Sequence, residues 1–514
     1  MATLVKSFAT QGVDGYQVEI EVVLLEGAPM LSIIGLGDQA VREAGDRIQS
    51  ALYTSGYDFP KRRVIINLAP SSKKKFGSHF DLAMAIGVLQ EASAIGAKSL
   101  ADYGFIGELS LDGSIRPCTG VFPMVVTAQK SGVKKVIVPP GNSAEASHVK
   151  GVEVLCFENL QDVIRCLEGG NVRSTMISEQ TNSESDVLSD VFDFADVHGQ
   201  EELIDAVVLA AAGGHNILMI GEPGCGKTMV AQRIPTILPQ MSESEMLEVT
   251  KIHSIAGLIA ANEALLTQRP FRAPHHNASL NALIGGGVNA FPGEVSLAHN
   301  GVLFLDELGE FPRRILDALR QPIEDKKVTI SRVNGTNTFP AAFMFVAAMN
   351  PCPCGYYPSR RCKCSDYEIV KYRGKISGPI LDRIDIQKNV RAVPYFEIDD
   401  GVNPRSSNEL LRLVMGARKT QQARYKKDEY VNCNAQMGVD HIKEFCTLDS
   451  LSKSLLKQAC DTYGYSARVV HKMLRLARTS ADLRASEHID KRDIERVLSC
   501  RDFDRCASEL LVVS

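Results

Sequence analysis

Residues 221–228 read Gly221, Glu222, Pro223, Gly224, Cys225, Gly226, Lys227 and Thr228, set between the apolar run NILMI and the helix-prone MVAQRI. A strand, a glycine-rich turn and a helix start, in that order, aim backbone N–H groups and a positive helix end at an anion. Lys227 then reaches the outer phosphates of a nucleoside triphosphate, and the Thr228 hydroxyl joins the shell of a Mg²⁺ ion. Further on, GVLFLDEL ends an apolar run in two adjacent carboxylates. Behind a phosphate loop, the first of them, Asp306, suits the metal shell, and the second, Glu307, suits a base that polarises water. A third apolar run, FMFVAAMN, closes on Asn350, whose amide is placed to orient that water. The three pieces predict ATP hydrolysis with Mg²⁺.

Four of the thirteen cysteines, Cys352, Cys354, Cys362 and Cys364, form C-x-C-x₇-C-x-C directly after Asn350. Four thiolates on a short irregular segment fit a tetrahedral Zn²⁺ site, which would order a loop with little apolar content. The spacing within each pair is one residue shorter than the usual minimum, and free thiols fit the same residues. The segment from Tyr356 to Lys375 is basic, with tyrosines interleaved. Arg360, Arg361 and Lys363 on it are candidates for contact with DNA phosphate, or form a solvated loop.

These groups need rigid elements to hold them. NILMI, GVLFLD and FMFVAAMN are short apolar runs without alternation, as expected of strands buried on both faces of a doubly wound parallel sheet. They fall in a predicted α/β domain over 191–393, with the cysteine insert at 352–364. Residues 1–168 alternate strand patterns (QVEIEVVLL, RRVIINLAP, VKKVIVP) with the helical DLAMAIGVLQEASA, which predicts a separate α/β or α+β domain. Residues 169–190, rich in Gly, Ser, Asn and Glu, read as a linker. From 394 to 514 apolar residues recur at helical spacing, which predicts a helical lid.

Composition narrows the class. A chain of 514 residues with 45% hydrophobic and 23% charged residues is neither fibrous nor disordered. A net charge of −4 argues against uniform coating by nucleic acid, but 20 basic against 15 acidic residues after position 400 leave the C-terminal end basic. No apolar run approaches a membrane span and the opening residues lack a secretory core, so a cytosolic protein with no membrane partner is expected.

The series GEPGCGKT, LFLDEL, AAMNPCPCG, LDRIDI and YSARVVHKMLRLART resembles the AAA+ ATPases of the magnesium-chelatase-like group, and within it the ComM/YifB family. DVHGQEELIDAVVLAAAGGHN before the phosphate loop and RPFRAPHHNASLNALIGGG after it extend the resemblance over nearly the whole chain. It implies an ATP-driven ring, typically a homo-hexamer. Such a ring acts on single-stranded and branched DNA as a helicase and branch-migration factor in natural transformation and homologous recombination, beside a strand-exchange recombinase. It implies that Arg383 reaches into the neighbouring subunit's nucleotide and that Arg468 is the lid arginine on the γ-phosphate side. His198, Gly199 and Gln200 would line the adenine pocket. KKVTISRVNGTNTF reads as a hairpin with its tip at Asn334 and Gly335. The family points such a hairpin into the pore, where Lys326, Lys327 and Arg332 would meet DNA phosphate, or simply be solvated.

Arg269, Arg272, His275 and His276 of RPFRAPHH are read as a structural or pore-facing insert, because adjacent histidines do not converge on one metal. The N-terminal part resembles the Lon-protease-like fold of the ribosomal-S5 type. Ser78 lies near that fold's nucleophile, but Phe122 stands where the activating lysine is expected, so the domain is read as non-proteolytic. Two other activities remain in view, a magnesium-chelatase ATPase subunit that remodels a partner and a Lon-like protease.

Overall fold

The computed structural model describes residues 2–96, 100–170, 172, 174, 192–260, 263, 265–287, 290–332, 335–393, 404–426, 428 and 431–502. Most of the expected linker, from 175 to 190, and the expected boundary at 394 lie outside these residues.

The N-terminal part is built on a seven-stranded mixed sheet. Its spatial order is Met30–Ile34, Arg63–Ala69, Asp14–Leu25, Thr3–Gln11, Tyr103–Phe105, Lys135–Val138 and Glu153–Cys156. Asp14–Leu25 alternates buried and half-exposed residues, as a strand with one covered face must. Helix Asp81–Glu91, buried along almost its whole length, covers that face.

The second sheet has five strands in the order Phe271–Arg272, Val302–Leu305, Met344–Met349, Ile217–Gly221 and Ile386–Val390, all parallel. Every residue of Val302–Leu305 and Met344–Met349 is buried, which is why these runs show no alternation in the sequence. The phosphate loop leaves the C-terminal end of Ile217–Gly221, beside the ends of the strands carrying Asp306 and Asn350. Open α/β sheets bind ligands at that edge.

The C-terminal helices Ser407–Arg424, Val439–Phe445, Ser450–Tyr463, Ala467–Leu483 and Lys491–Ser499 do not stand apart from the sheet. Val414, Leu476 and Val497 join Ile217, Val230 and Leu209 in one apolar core. At its edge Asp385 is buried, with Lys472 Nζ 3.1 Å and His215 Nδ1 3.6 Å away and the Asn216 N–H donating at 3.0 Å. The Lys472 ammonium, with hydrogen bonds from His215 and the Asn216 N–H, holds the Asp385 carboxyl well below the usual range despite its burial.

The two α/β parts meet along helix Glu243–Ile255, which packs on helix Val121–Lys130. Ser254 is the hinge-pin of that contact. Its carbonyl accepts from Gly120 N–H at 2.9 Å and its hydroxyl donates to buried Glu145 at 2.7 Å.

Strands Lys327–Arg332 and Gly335–Pro340 form the expected hairpin, but Gly335 pairs with Arg332 and so belongs to the strand. Asn334, the other residue of the expected tip, lies outside the described residues.

Candidate functional site

Gly226, at φ +87°, caps helix Lys227–Ile237 and turns the loop into its first turn. That backbone is open to glycine at little cost, which leaves the helix N–H groups facing the loop. Lys227 is buried, its Nζ donating to Gly221 O at 2.7 Å, Glu222 O at 2.9 Å and Asn350 Oδ1 at 3.4 Å. Thr228 Oγ1 donates to Asp306 Oδ2 at 2.7 Å. Lysine, hydroxyl, carboxylate and amide from three strands therefore converge. Cys225 is buried beneath the loop, and burial pushes its thiol up.

Gln200 is buried behind the loop and ties its base down. Its Nε2 donates to Cys225 O at 3.2 Å and Arg391 O at 2.8 Å. Gly199, at φ +66°, and half-buried His198 precede it in the chain.

Glu307 carries positive φ (+52°), uncommon for a residue with a side chain, and opens the tight turn Leu308–Glu310. Its Oε2 lies 3.3 Å from His276 Nδ1. His276 lies tilted against His275 with ring centroids 4.1 Å apart and meets Phe311 edge-on. The segment RPFRAPHH, read from the sequence as a structural or pore-facing insert, sets His276 against the proposed base. No local pattern in the sequence signals this contact. Phe271 pairs with Val302 and Arg272 with Leu303, which sets the chain leading to His276 beside the strand leading to Glu307. The arginines of the segment are structural. Arg269 donates to Pro239 O, Asn300 O and Glu245, and Arg272 grips Glu294 with two bonds.

Arg383 and Arg468 come together on one carboxylate, because both pair with Glu324. Arg383 also donates to Arg320 O at 3.1 Å and Pro379 O at 2.6 Å, and its side chain is 13% exposed, against 45% for Arg468.

On the hairpin the three expected contacts separate. Lys327 and Arg332 are exposed, whereas Lys326 turns inward over the Phe343 ring at 5.9 Å, and burial lowers its ammonium pKa. Lys326 caps the preceding helix in a left-handed conformation, which removes it from the set of exposed cations. Arg360, Arg361 and Lys363 are exposed.

The four cysteine Sγ atoms lie within 4.8 Å of one another. The Cys352–Cys354, Cys352–Cys362 and Cys354–Cys362 separations are 3.4, 3.7 and 3.6 Å. A tetrahedron with Zn–S bonds of about 2.3 Å has edges of about 3.8 Å, so the thiols fit zinc and are too far apart for disulfides. Backbone N–H groups of Lys363 and Tyr356 pull the Cys354 thiol down to about 6.

In the N-terminal part Ser78 Oγ donates to Glu108, and Phe122 is fully buried, so the partner of this serine is a carboxylate and not a lysine. No helix among the described residues is long and apolar enough to cross a membrane.

Three family models match the chain along its length. They are subunit ChlI of Mg-chelatase over 20–142, magnesium chelatase subunit ChlI over 193–398, and the ChlI C-terminal region over 404–501. The uncharacterized protein YifB of Escherichia coli K12 is 39% identical over 504 residues, covering 98% of this chain and 97% of its own. The competence protein ComM of Haemophilus influenzae is 38% identical over 511 residues, covering 99% of both. With full-length identity at this level and the nucleotide-site residues brought together as described, the chain belongs to the ComM/YifB family of magnesium-chelatase-like AAA+ proteins.

Proposed function

We propose that the chain is a Mg²⁺-dependent ATPase that works as a hexameric DNA motor in the cytosol, migrating branches as incoming single strands are integrated in transformation and homologous recombination. The convergence of Lys227, Thr228, Asp306 and Asn350, with Glu307 next in the chain to Asp306, carries the ATPase reading. Lys227 leaves the loop carbonyls to meet the outer phosphates, while Thr228 and Asp306 hold Mg²⁺, which neutralises phosphate charge when bound. Glu307 takes a proton from the attacking water, and Asn350 orients that water. Arg383 and Arg468, which share one carboxylate on one surface, stabilise charge on the nucleotide of the adjacent subunit.

The DNA part draws on the full-length likeness to a competence protein and on the exposed cations Lys327, Arg332, Arg360, Arg361 and Lys363. A recombinase is the partner this reading expects. The cysteine cluster holds Zn²⁺, which orders the segment bearing three of those cations.

The test is migration of a labelled branch in a three-stranded DNA substrate, wild type against Glu307→Gln, with ATPase rates recorded with and without single-stranded DNA. Product from the wild type alone, together with DNA-stimulated hydrolysis, supports the motor. Hydrolysis that DNA neither stimulates nor couples to movement overturns the DNA part and returns the search to a partner protein, as in a chelatase.

A further inference from the structure

The cysteine knuckle and the phosphate loop are in direct contact. Cys352 is fully buried and follows Asn350 by two residues, and Asn350 accepts from Lys227. Three residues on, Gly355 is buried at φ +87°. A Cβ placed there would lie 2.7 Å from Pro223 Cδ, 2.8 Å from Pro223 Cγ and 3.9 Å from Asn350 Cγ. Pro223 is a residue of the phosphate loop itself, so the knuckle's backbone is pressed against the loop with no room for a methyl group.

Little besides the thiols holds the knuckle in that place. The described segment from Cys352 to Cys364 has no helix or strand. Its internal backbone bonds are turns, Gly355 N–H to Cys352 O at 3.0 Å, Ser359 N–H to Tyr356 O at 2.7 Å and Cys362 N–H to Ser359 O at 2.9 Å. One flank is pinned from outside, where Arg373 donates to Pro351 O at 3.3 Å and lies over the Tyr357 ring. A tetrahedral metal would close the other flank by joining Cys352 and Cys354, which precede the Gly355–Pro223 contact, to Cys362 and Cys364, which follow it.

We infer that zinc bound by the four cysteines braces the phosphate loop through the Gly355–Pro223 contact, so that nucleotide affinity depends on metal occupancy. The inference rests on the zinc reading given above. Packed interiors have two discrete arrangements more readily than a continuous range, so a knuckle released from its metal withdraws the wall against which Pro223 sits. Asn350, two residues from the first ligand, shifts with it. Supporting shells of this kind typically carry effects of about 10–100-fold.

The experiment measures equilibrium binding of a fluorescent ATP analogue to the full chain without Mg²⁺, so that metal removal does not alter the nucleotide complex. Three preparations are compared: as purified, stripped with a thiol-directed mercurial and chelator, and stripped then given one equivalent of Zn²⁺. The expected result is about one zinc per chain, affinity about tenfold weaker on stripping, and recovery on zinc addition. Gly355→Val crowds the contact and strains the left-handed backbone there while keeping all four ligands, and Pro223→Ala opens the same contact without that strain. Each should retain zinc and bind the analogue about tenfold more weakly.

Absence of zinc, and no uptake of added zinc, overturns the metal reading and this inference with it. Zinc that binds and leaves without changing nucleotide affinity overturns the coupling and leaves the metal reading intact. If the stripped protein aggregates, Gly355→Val decides, and wild-type affinity in that zinc-loaded variant refutes the brace.

Discussion

His276 holds the proposed base in a position from which it must depart. A carboxylate 3.3 Å from an imidazole has one oxygen engaged, and Glu307 needs that oxygen free to take a proton from water. Its side chain is 54% exposed and that of His276 27% exposed, so solvent screens the pair. At such exposure the interaction is worth at most about 1 kcal/mol. Since about 1.4 kcal/mol corresponds to tenfold in rate, His276→Ala should raise the basal kcat for ATP by up to about fivefold. KM should stay unchanged, because His276 is paired with the base and not with the phosphate loop. His276→Asn, which retains a donor at that position, should stay near wild type. Glu307→Gln, by contrast, should lose about 100-fold or more in kcat. The assay is steady-state hydrolysis of all three variants at one protein concentration, with melting temperatures to confirm folding. A folded His276→Ala whose kcat falls as far as that of Glu307→Gln, at unchanged KM, would refute the reasoning and make His276 indispensable to the chemistry.

Three other perturbations probe the surrounding framework. Glu324→Gln leaves Arg383 and Arg468 without their shared charge, and should lower kcat in the assembled protein while sparing nucleotide affinity; equal loss of affinity would move Glu324 to the phosphate side of the site. Asp385→Asn leaves Lys472 buried beside an uncharged amide, which should cost about 3 kcal/mol and lower the melting temperature of the ATPase part by roughly 6–12 °C, while a change within 2 °C would contradict a buried pair. His79 is buried, and burial depresses its pKa from 6.5 to about 4, so the native state refuses a proton that the unfolded chain accepts. Its contribution is therefore whole above pH 6.5 and is lost as pH falls toward 4, about 2.5 kcal/mol of it by pH 4.5. Urea midpoints at pH 7.5 and 4.5 should show that much less acid sensitivity in His79→Leu, and identical pH dependence in both proteins would remove His79 from the account.

What the sequence made legible was local. Ser450–Tyr463 and Ala467–Leu483 match their apolar periods end to end because Asp449 and Ser466 cap them with side-chain bonds to Ser452 N–H and Val469 N–H. The convergence of Lys227, Thr228, Asp306 and Asn350 was legible because these residues follow strand ends, where a short motif carries its own geometry. The remainder depended on register and packing. His276 reaches Glu307 through a two-residue edge strand, too short to announce itself, whose offset against Val302–Leu305 no local pattern states. Lys326 looks like its exposed neighbour Lys327 in any charge count, yet the left-handed cap it forms turns it over Phe343. The helical lid reads as a unit by periodicity, whereas its core is continuous with that of the sheet, since both supply apolar faces and nothing in either pattern names the partner.

That shared core links the arginine pair to the sheet. Lys472 and Arg468 lie four residues apart on helix Ala467–Leu483, hence on one face. Lys472 is held by buried Asp385, two residues after Arg383 in the same turn that enters strand Ile386–Val390. Asp385 thus fixes the helix carrying Arg468 against the strand start carrying Arg383, and Glu324 joins the two guanidinium groups from a third element. A displacement of strand Ile386–Val390, which is paired with the phosphate-loop strand from Ile217 to Gly221, must carry both arginines together. The proposed nucleotide site of one subunit and the arginines it would present to the next are therefore parts of one rigid unit, joined by five residue pairs of parallel ladder and one buried ion pair. In a ring built from such units, binding at one site would be felt at the neighbouring site through the sheet before any loop had to move.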